Sequence, residues 1–192
     1  MSRQFWQETL FWATASGTAH ANSTTETILF PNVTIPANYM QDGRALHVVA
    51  HGAYGTTATP TLIIKLRWGG VSGTVIAATG AITTTSGVGG GASMLAGWVL
   101  DAYIQTRSNG SAGTLMTNGV LYTFTDTPLT AGTVTNYGQP SFLASGSTGG
   151  DTPVAVTADL TSDTALSLTA DWSAADAANS IQGLQYYGKS LN

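Results

Sequence analysis

The segment Leu62-Ile63-Ile64-Lys65-Leu66-Arg67-Trp68 runs straight into Gly69-Gly70-Val71-Ser72-Gly73-Thr74, and that order constrains the fold more than any other stretch of the chain. Leu62, Ile64, Leu66 and Trp68 share one side of an extended backbone while Ile63, Lys65 and Arg67 share the other, the period of a strand buried on one face only. The glycines then turn the chain into Thr74-Val75-Ile76-Ala77-Ala78, so two adjacent strands are the simplest reading.

The same grammar recurs along the chain. Glu26 to Phe30 reads as a strand, and prolines bracket Val33-Thr34-Ile35 as an edge-like segment. After the Asp42-Gly43 turn, Leu46, Val48 and Ala50 alternate with His47, Val49 and His51. Trp98, Leu100, Ala102 and Ile104 alternate with Val99, Asp101, Tyr103 and Gln105, and Ser108-Asn109-Gly110-Ser111 turns the chain into a strand region over 114–124. Leu166, Leu168, Ala170 and Trp172 form a further inner face, and a strand over 181–187 closes the pattern. The glycine-rich stretch 81–96 reads as a loop, and 173–178 as no more than one helical turn. Eight or more short antiparallel strands with no helical period specify an all-β chain, and the strand count favours a jelly-roll β-sandwich. Spacing alone leaves the connectivity open, because an immunoglobulin-like sandwich would show the same pattern. At 192 residues one domain is expected, a sandwich over 19–192 preceded by an N-terminal arm over 1–18.

Only 8% of the residues are charged, against about 25% in an average soluble domain, so Thr, Ser, Ala and Gly fill outward positions that usually carry Lys and Glu. Such a surface calls for oligomerisation or docking to something larger. Six Lys and Arg within a net charge of −4 provide no basic footprint, which argues against nucleic acid. The absence of cysteine rules out disulfides, thiolate nucleophiles and Cys zinc sites. Neither a secretory leader nor an apolar run of about 20 residues is present, so no membrane partner is expected.

Motifs for chemistry are weak. His47 and His51 would sit one turn apart on a helix as zinc ligands, but on a strand they stand about 13 Å apart, too far to share an ion. They are read as outward polar residues that could meet a partner subunit and titrate near pH 6.5 there. Asp151, Asp159, Asp163, Asp171 and Asp176 lack the every-second-residue spacing of a calcium loop. Ser72 misses the Gly-x-Ser-x-Gly elbow by one position, and Gly87 to Gly91 lacks the lysine of a phosphate loop. No catalytic residue, metal ligand or cofactor is assigned.

Trp68, Trp98 and Trp172 fall in phase with aliphatic neighbours and are expected in the core. Phe5, Trp6, Phe11 and Trp12 crowd a segment too short to bury them all on one face, since Phe11 and Trp12 point opposite ways; an arm packing on a neighbour is expected. Tyr186 and Tyr187 raise the same issue, with one of the pair at an interface or on the surface. The interface candidates are therefore these four N-terminal aromatics, His47, His51, Tyr186 and Tyr187.

Three passages carry a family resemblance: Phe30-Pro31 through Thr34-Ile35-Pro36-Ala37-Asn38-Tyr39, the Leu66 to Thr74 stretch, and Asp163 to Ser173 with Asn179-Ser180-Ile181. Together they resemble head decoration or cement proteins of tailed bacteriophages. The resemblance implies a jelly-roll subunit on the capsid surface of the virion, made in the host cytoplasm. It further implies a homotrimer at capsomer junctions, with the major capsid protein and its own copies as partners. The alternative is a tail or spike host-adhesion module that binds glycan, which exposure of Trp98 or Trp12 near acidic side chains would favour. A glycan-active enzyme is disfavoured, because only two Glu exist and no carboxylate pair can be placed.

Overall fold

Alternation along the long strands carries their apolar positions into a single interior. A computed structural model describes residues 7–57, 60–84, 94, 96–123, 139–145 (backbone only) and 153–191. Among these residues are 14 strands: β1 (Gln7–Trp12), β2 (His20–Ala21), β3 (Thr27–Ile28), β4 (Val33–Ile35), β5 (Ala45–Gly55), β6 (Thr61–Trp68), β7 (Thr74–Thr79), β8 (Ile82–Thr83), β9 (Ala96–Ser108), β10 (Gly113–Thr123), β11 (Gln139–Ser145), β12 (Val156–Ala158), β13 (Thr164–Trp172) and β14 (Ser180–Leu191). No helix occurs among the described residues, and 173–178 is turn and bend.

The long strands pair as nested hairpins, β5 with β14, β6 with β13, β7 with β11 and β9 with β10, all antiparallel. This is the rolled-up hairpin of a jelly roll. Lateral pairs β5–β9, β6–β7 and β10–β11 join the hairpins into one hydrogen-bonded path, β1-β14-β5-β9-β10-β11-β7-β6-β13-β3. The path folds over a shared core, and residues from both ends of it, such as Leu46, Trp98, Leu66, Leu168 and Trp172, belong to that core. Trp68, Trp98 and Trp172 are all buried. The indole N–H of Trp68 donates to the Asp159 carbonyl at 2.8 Å.

The turns use the residues their geometry demands. Gly69 and Gly70, between β6 and β7, lie at φ 106° and 80°, and Gly110, between β9 and β10, at φ 119°.

The N-terminal segment does not extend away as an arm over the part that is described. Gln7–Trp12 is an edge strand on β14, with Trp12 opposite Tyr187 and Phe11 opposite Gly188. Phe11 turns inward, so its expected place at an interface is corrected: it is buried against Tyr186, with ring centroids 4.8 Å apart. Tyr186 is likewise buried, stacked on Phe30 from its other side at 4.9 Å. Burial without a charged partner pushes the Tyr186 phenol well above its usual value. Glycine makes room for this aromatic stack. A Cβ on Gly188 would stand 2.3 Å from the Phe11 ring, and one on Gly183 2.3 Å from the Phe30 ring. Phe5 and Trp6 lie outside the described residues.

The outer side of β6 and β13 is closed by an ion network. Glu26, just before β3, takes Lys65 Nζ at 2.8 Å and Arg67 Nη2 at 2.7 Å, and also accepts from the Thr169 hydroxyl. Lys65 reaches Asp171 at 2.9 Å as well, and Arg67 Nη1 donates to the Gly73 carbonyl. Burial alone would raise the Glu26 pKa, but the hydrogen bonds from Arg67, Lys65 and Thr169 outweigh it and hold the group at about 2.

Candidate functional site

On the other half of the molecule, the outward positions of β14, β5, β9 and β10 line up in rows fixed by register. One row runs Trp12, Tyr187, Val49, Asp101, Val120; the next runs Lys189, His47, Tyr103, Asn118; a third runs Gln185, His51, Val99, Tyr122. Strands in this layer stand about 4.8 Å apart, so from β1 to β10 the rows span roughly 19 Å. No segment like the one bearing Glu26 crosses this face among the described residues.

Large rings lie open on it. Trp12 is 53% exposed, Tyr103 44% and Tyr122 41%. Trp12 stacks on Tyr187 with centroids 4.9 Å apart and planes 13° from parallel, and Lys189 Nζ lies 5.7 Å from the Tyr187 ring centre. In the middle of the face His47 lies flat on Tyr103, centroids 4.5 Å apart and planes 2° from parallel. The His47 Nε2 meets Asp101 Oδ1 at 2.8 Å. The imidazole is thus held on one side by a carboxylate and on another by a ring, which fixes Tyr103 and Asp101 relative to each other.

Between the two exposed tyrosines runs a groove of about 300 Å³, lined by Asp101, Tyr103, Asn118, Gly119, Val120 and Tyr122. It combines ring edges and faces with a carboxylate and an amide, the mix that suits a ligand carrying both apolar C–H surfaces and hydroxyl groups. Gly119 is held to a glycine by its neighbours, since a Cβ there would lie 2.4 Å from the Asp101 carbonyl oxygen.

Of the residues singled out in the sequence, this face gathers Trp12, His47, His51 and Tyr187, while Phe11 and Tyr186 belong to the core beneath it. Trp98 is buried, and Trp12 is exposed beside Tyr187. His51 shares the outward side of β5 with His47, four residues along the strand. Among the described residues no three His, Cys, Asp or Glu side chains converge as metal ligands would. Asp101, Tyr103, Asn118 and Tyr122 went unrecognised in the sequence. The signal for them lay in the Asn109-Gly110 turn: counting outward from it along both strands brings Tyr103 beside Asn118, once a register shift at Thr114/Leu115 is allowed for.

Two of the passages that carry the family resemblance meet the Asp163 to Ser173 part of the third in the opposite half, while Ser180 and Ile181 lie on β14. Val33 of β4 pairs with Leu166 of β13, which pairs in turn with Trp68 of β6. Asp163 accepts from the Ala37 amide at 2.8 Å, and the Gly69 amide donates to the Ala165 carbonyl at 2.8 Å.

No protein-family model matches this chain. No curated protein matches it either. Among solved structures, the CBM2 module of the evolved Dit of Lactobacillus casei BL23 phage J-1 aligns over 99% of this chain and 98% of that one, at 12% identity and a TM-score of 0.38. A superposition that loose carries no argument about fold or function.

Proposed function

We propose that this chain is a structural module of a bacteriophage particle whose task is recognition, and that its open sheet face binds carbohydrate. The observation that carries the reading is the groove in which the exposed rings of Tyr103 and Tyr122 flank Asp101 and Asn118. A pyranose ring packs its C–H face on an aromatic ring and offers its hydroxyls to a carboxylate and an amide. Both needs are met here within one groove. The particle assignment rests on the three resembling passages and on a chain with 8% charged residues. A binding role fits better than hydrolysis, because two carboxylates about 5–9.5 Å apart would be needed. Among the described residues the groove offers Asp101 alone, with its Oδ1 engaged by His47.

The sequence-derived role as a trimeric cement at capsomer junctions is a second reading, supported by the scarcity of charge on the outward side of the strands. The two readings differ in where the chain sits and in what Tyr103 does. The test is a glycan array with the wild-type protein and Tyr103→Ala, alongside cryo-electron microscopy of the parent particle. Glycan binding that Tyr103→Ala abolishes, with density at the tail or a spike, supports recognition. Density at capsomer junctions together with a silent array replaces it with the cement reading.

A further inference from the structure

The groove between the tyrosines continues along β9 into a second one of about 530 Å³, lined by Ala45, Tyr103, Gln105, Arg107, Met116 and Asn118. Tyr103 and Asn118 border both, so the two form one cleft. From Asp101 to Arg107 it follows six residues of extended chain, roughly 20 Å, the length of an oligosaccharide rather than a single sugar.

Its two ends differ in charge. At one end the only ionic lining residue among those described is Asp101, and His47 holds it at 2.8 Å. At the other, no carboxylate among the described residues lines the groove, and Arg107 is exposed. The other cations among the described residues are engaged: Lys65 and Arg67 by Glu26, Arg44 by the Tyr39 carbonyl and ring, and Lys189 over Tyr187. Arg107 alone among them has no carboxylate, carbonyl or ring partner within the described residues. A neutral glycan would leave this guanidinium unused, whereas a carboxylate matches its fork in bidentate fashion, with the Gln105 and Asn118 amides beside it.

We propose that the cleft takes an acidic oligosaccharide, with Tyr103 and Tyr122 stacking its sugar rings and Arg107 reading the carboxylate of a uronic acid unit. The inference rests on the carbohydrate reading of this face and adds the class of sugar. It is tested on an array that pairs hexuronate tetramers with their methyl esters and with neutral tetramers, supplemented by a glycerol-phosphate oligomer. The full chain is compared with Arg107→Gln and Arg107→Lys, both checked for native far-UV circular dichroism. We expect at least one hexuronate to bind about tenfold tighter than its ester, the size of one charge-assisted hydrogen-bonded contact. Arg107→Gln should erase that preference by bringing the hexuronate down to the affinity of its ester, and Arg107→Lys should keep part of it. Equal binding of acids and esters, or a preference that survives Arg107→Gln, would overturn the inference and leave carbohydrate recognition standing, whereas retention of the glycerol-phosphate oligomer alone would overturn both. Silence towards every sugar would overturn both.

Discussion

On the outside of β6 and β13, Lys65, Arg67, Thr169 and Asp171 are drawn together, with Glu26 at the centre. On the outside of β5, β9 and β10, Tyr103, Tyr122 and Arg107 face outward with no segment laid over them among the described residues. Both are outer faces of alternating strands, and both carry the polar residues that such strands place outward. They differ in whether the chain itself supplies the partners. Where a short segment such as β3 crosses the sheet edge and brings a carboxylate, polar side chains become part of the fold. Where none crosses, the same kinds of residue remain available to a ligand. A polar outward position therefore acquires its meaning from what lies across it.

The largest effect that separates the faces is on stability. Glu26→Gln leaves Arg67 half-buried without a carboxylate and Lys65 with Asp171 alone, and breaking a buried ion pair costs about 3 kcal/mol or more. Chemical denaturation should show a loss of that order with glycan binding unchanged in the folded protein. A loss below about 0.5 kcal/mol, the range of ordinary surface substitutions, would show that the network does not hold the closed face.

Acid should act through the same group. Glu26 sits at about 2 in the folded chain against an ordinary 4.5. Between those values the unfolded chain binds the extra proton, so the Glu26 contribution is complete above pH 4.5 and is lost as the pH falls towards 2. The drop corresponds to roughly 3 kcal/mol. His20 contributes a separate limb. Burial lowers its pKa from 6.5, with Asp171 opposing, so the unfolded chain takes up a proton first as the pH falls below 6.5 and stability declines there too. Denaturation followed against pH should show both limbs in the wild type and only the upper one in Glu26→Gln.

On the open face the order of effects reverses. Tyr103→Ala removes a ring that is nearly half exposed, so it should change stability by less than about 1 kcal/mol. Titration calorimetry with a glycan that the wild type binds should show at least a tenfold loss of affinity. A stability loss as large as that of Glu26→Gln would dissolve the distinction between the faces.

The long strands were legible because their period is repeated over enough residues to decide the inward side. Leu62 to Trp68, Leu46 to Ala50 and Leu166 to Trp172 all turn the expected side chains into the core. The two-residue strands β2 and β8 were not, since two residues hold no period, whereas β3 falls inside the strand expected over 26–30. The edge strand β1 was half legible: the opposed directions of Phe11 and Trp12 were plain, but only pairing with β14 shows Phe11 covered by Tyr186 and Trp12 lying open on Tyr187. The Glu26 network was hidden for the same reason, as it joins three stretches distant in sequence. The candidate groove depends on the pairing of β9 with β10 across a register shift, so Tyr103 could be read as outward but not as the neighbour of Asn118.

Nesting also sets when the open face can exist. β5 pairs with β14, so Ala45 finds Leu191 and His47 finds Lys189 only across most of the sequence. Such distant pairings close slowly, because a long loop must be ordered before its contacts repay the loss of freedom. A nascent chain that has made β5, β9 and β10 still lacks the strand that flanks them. Cleft and sheet therefore mature together once β14 has been synthesised, and a truncated product would present neither a stable body nor a working face.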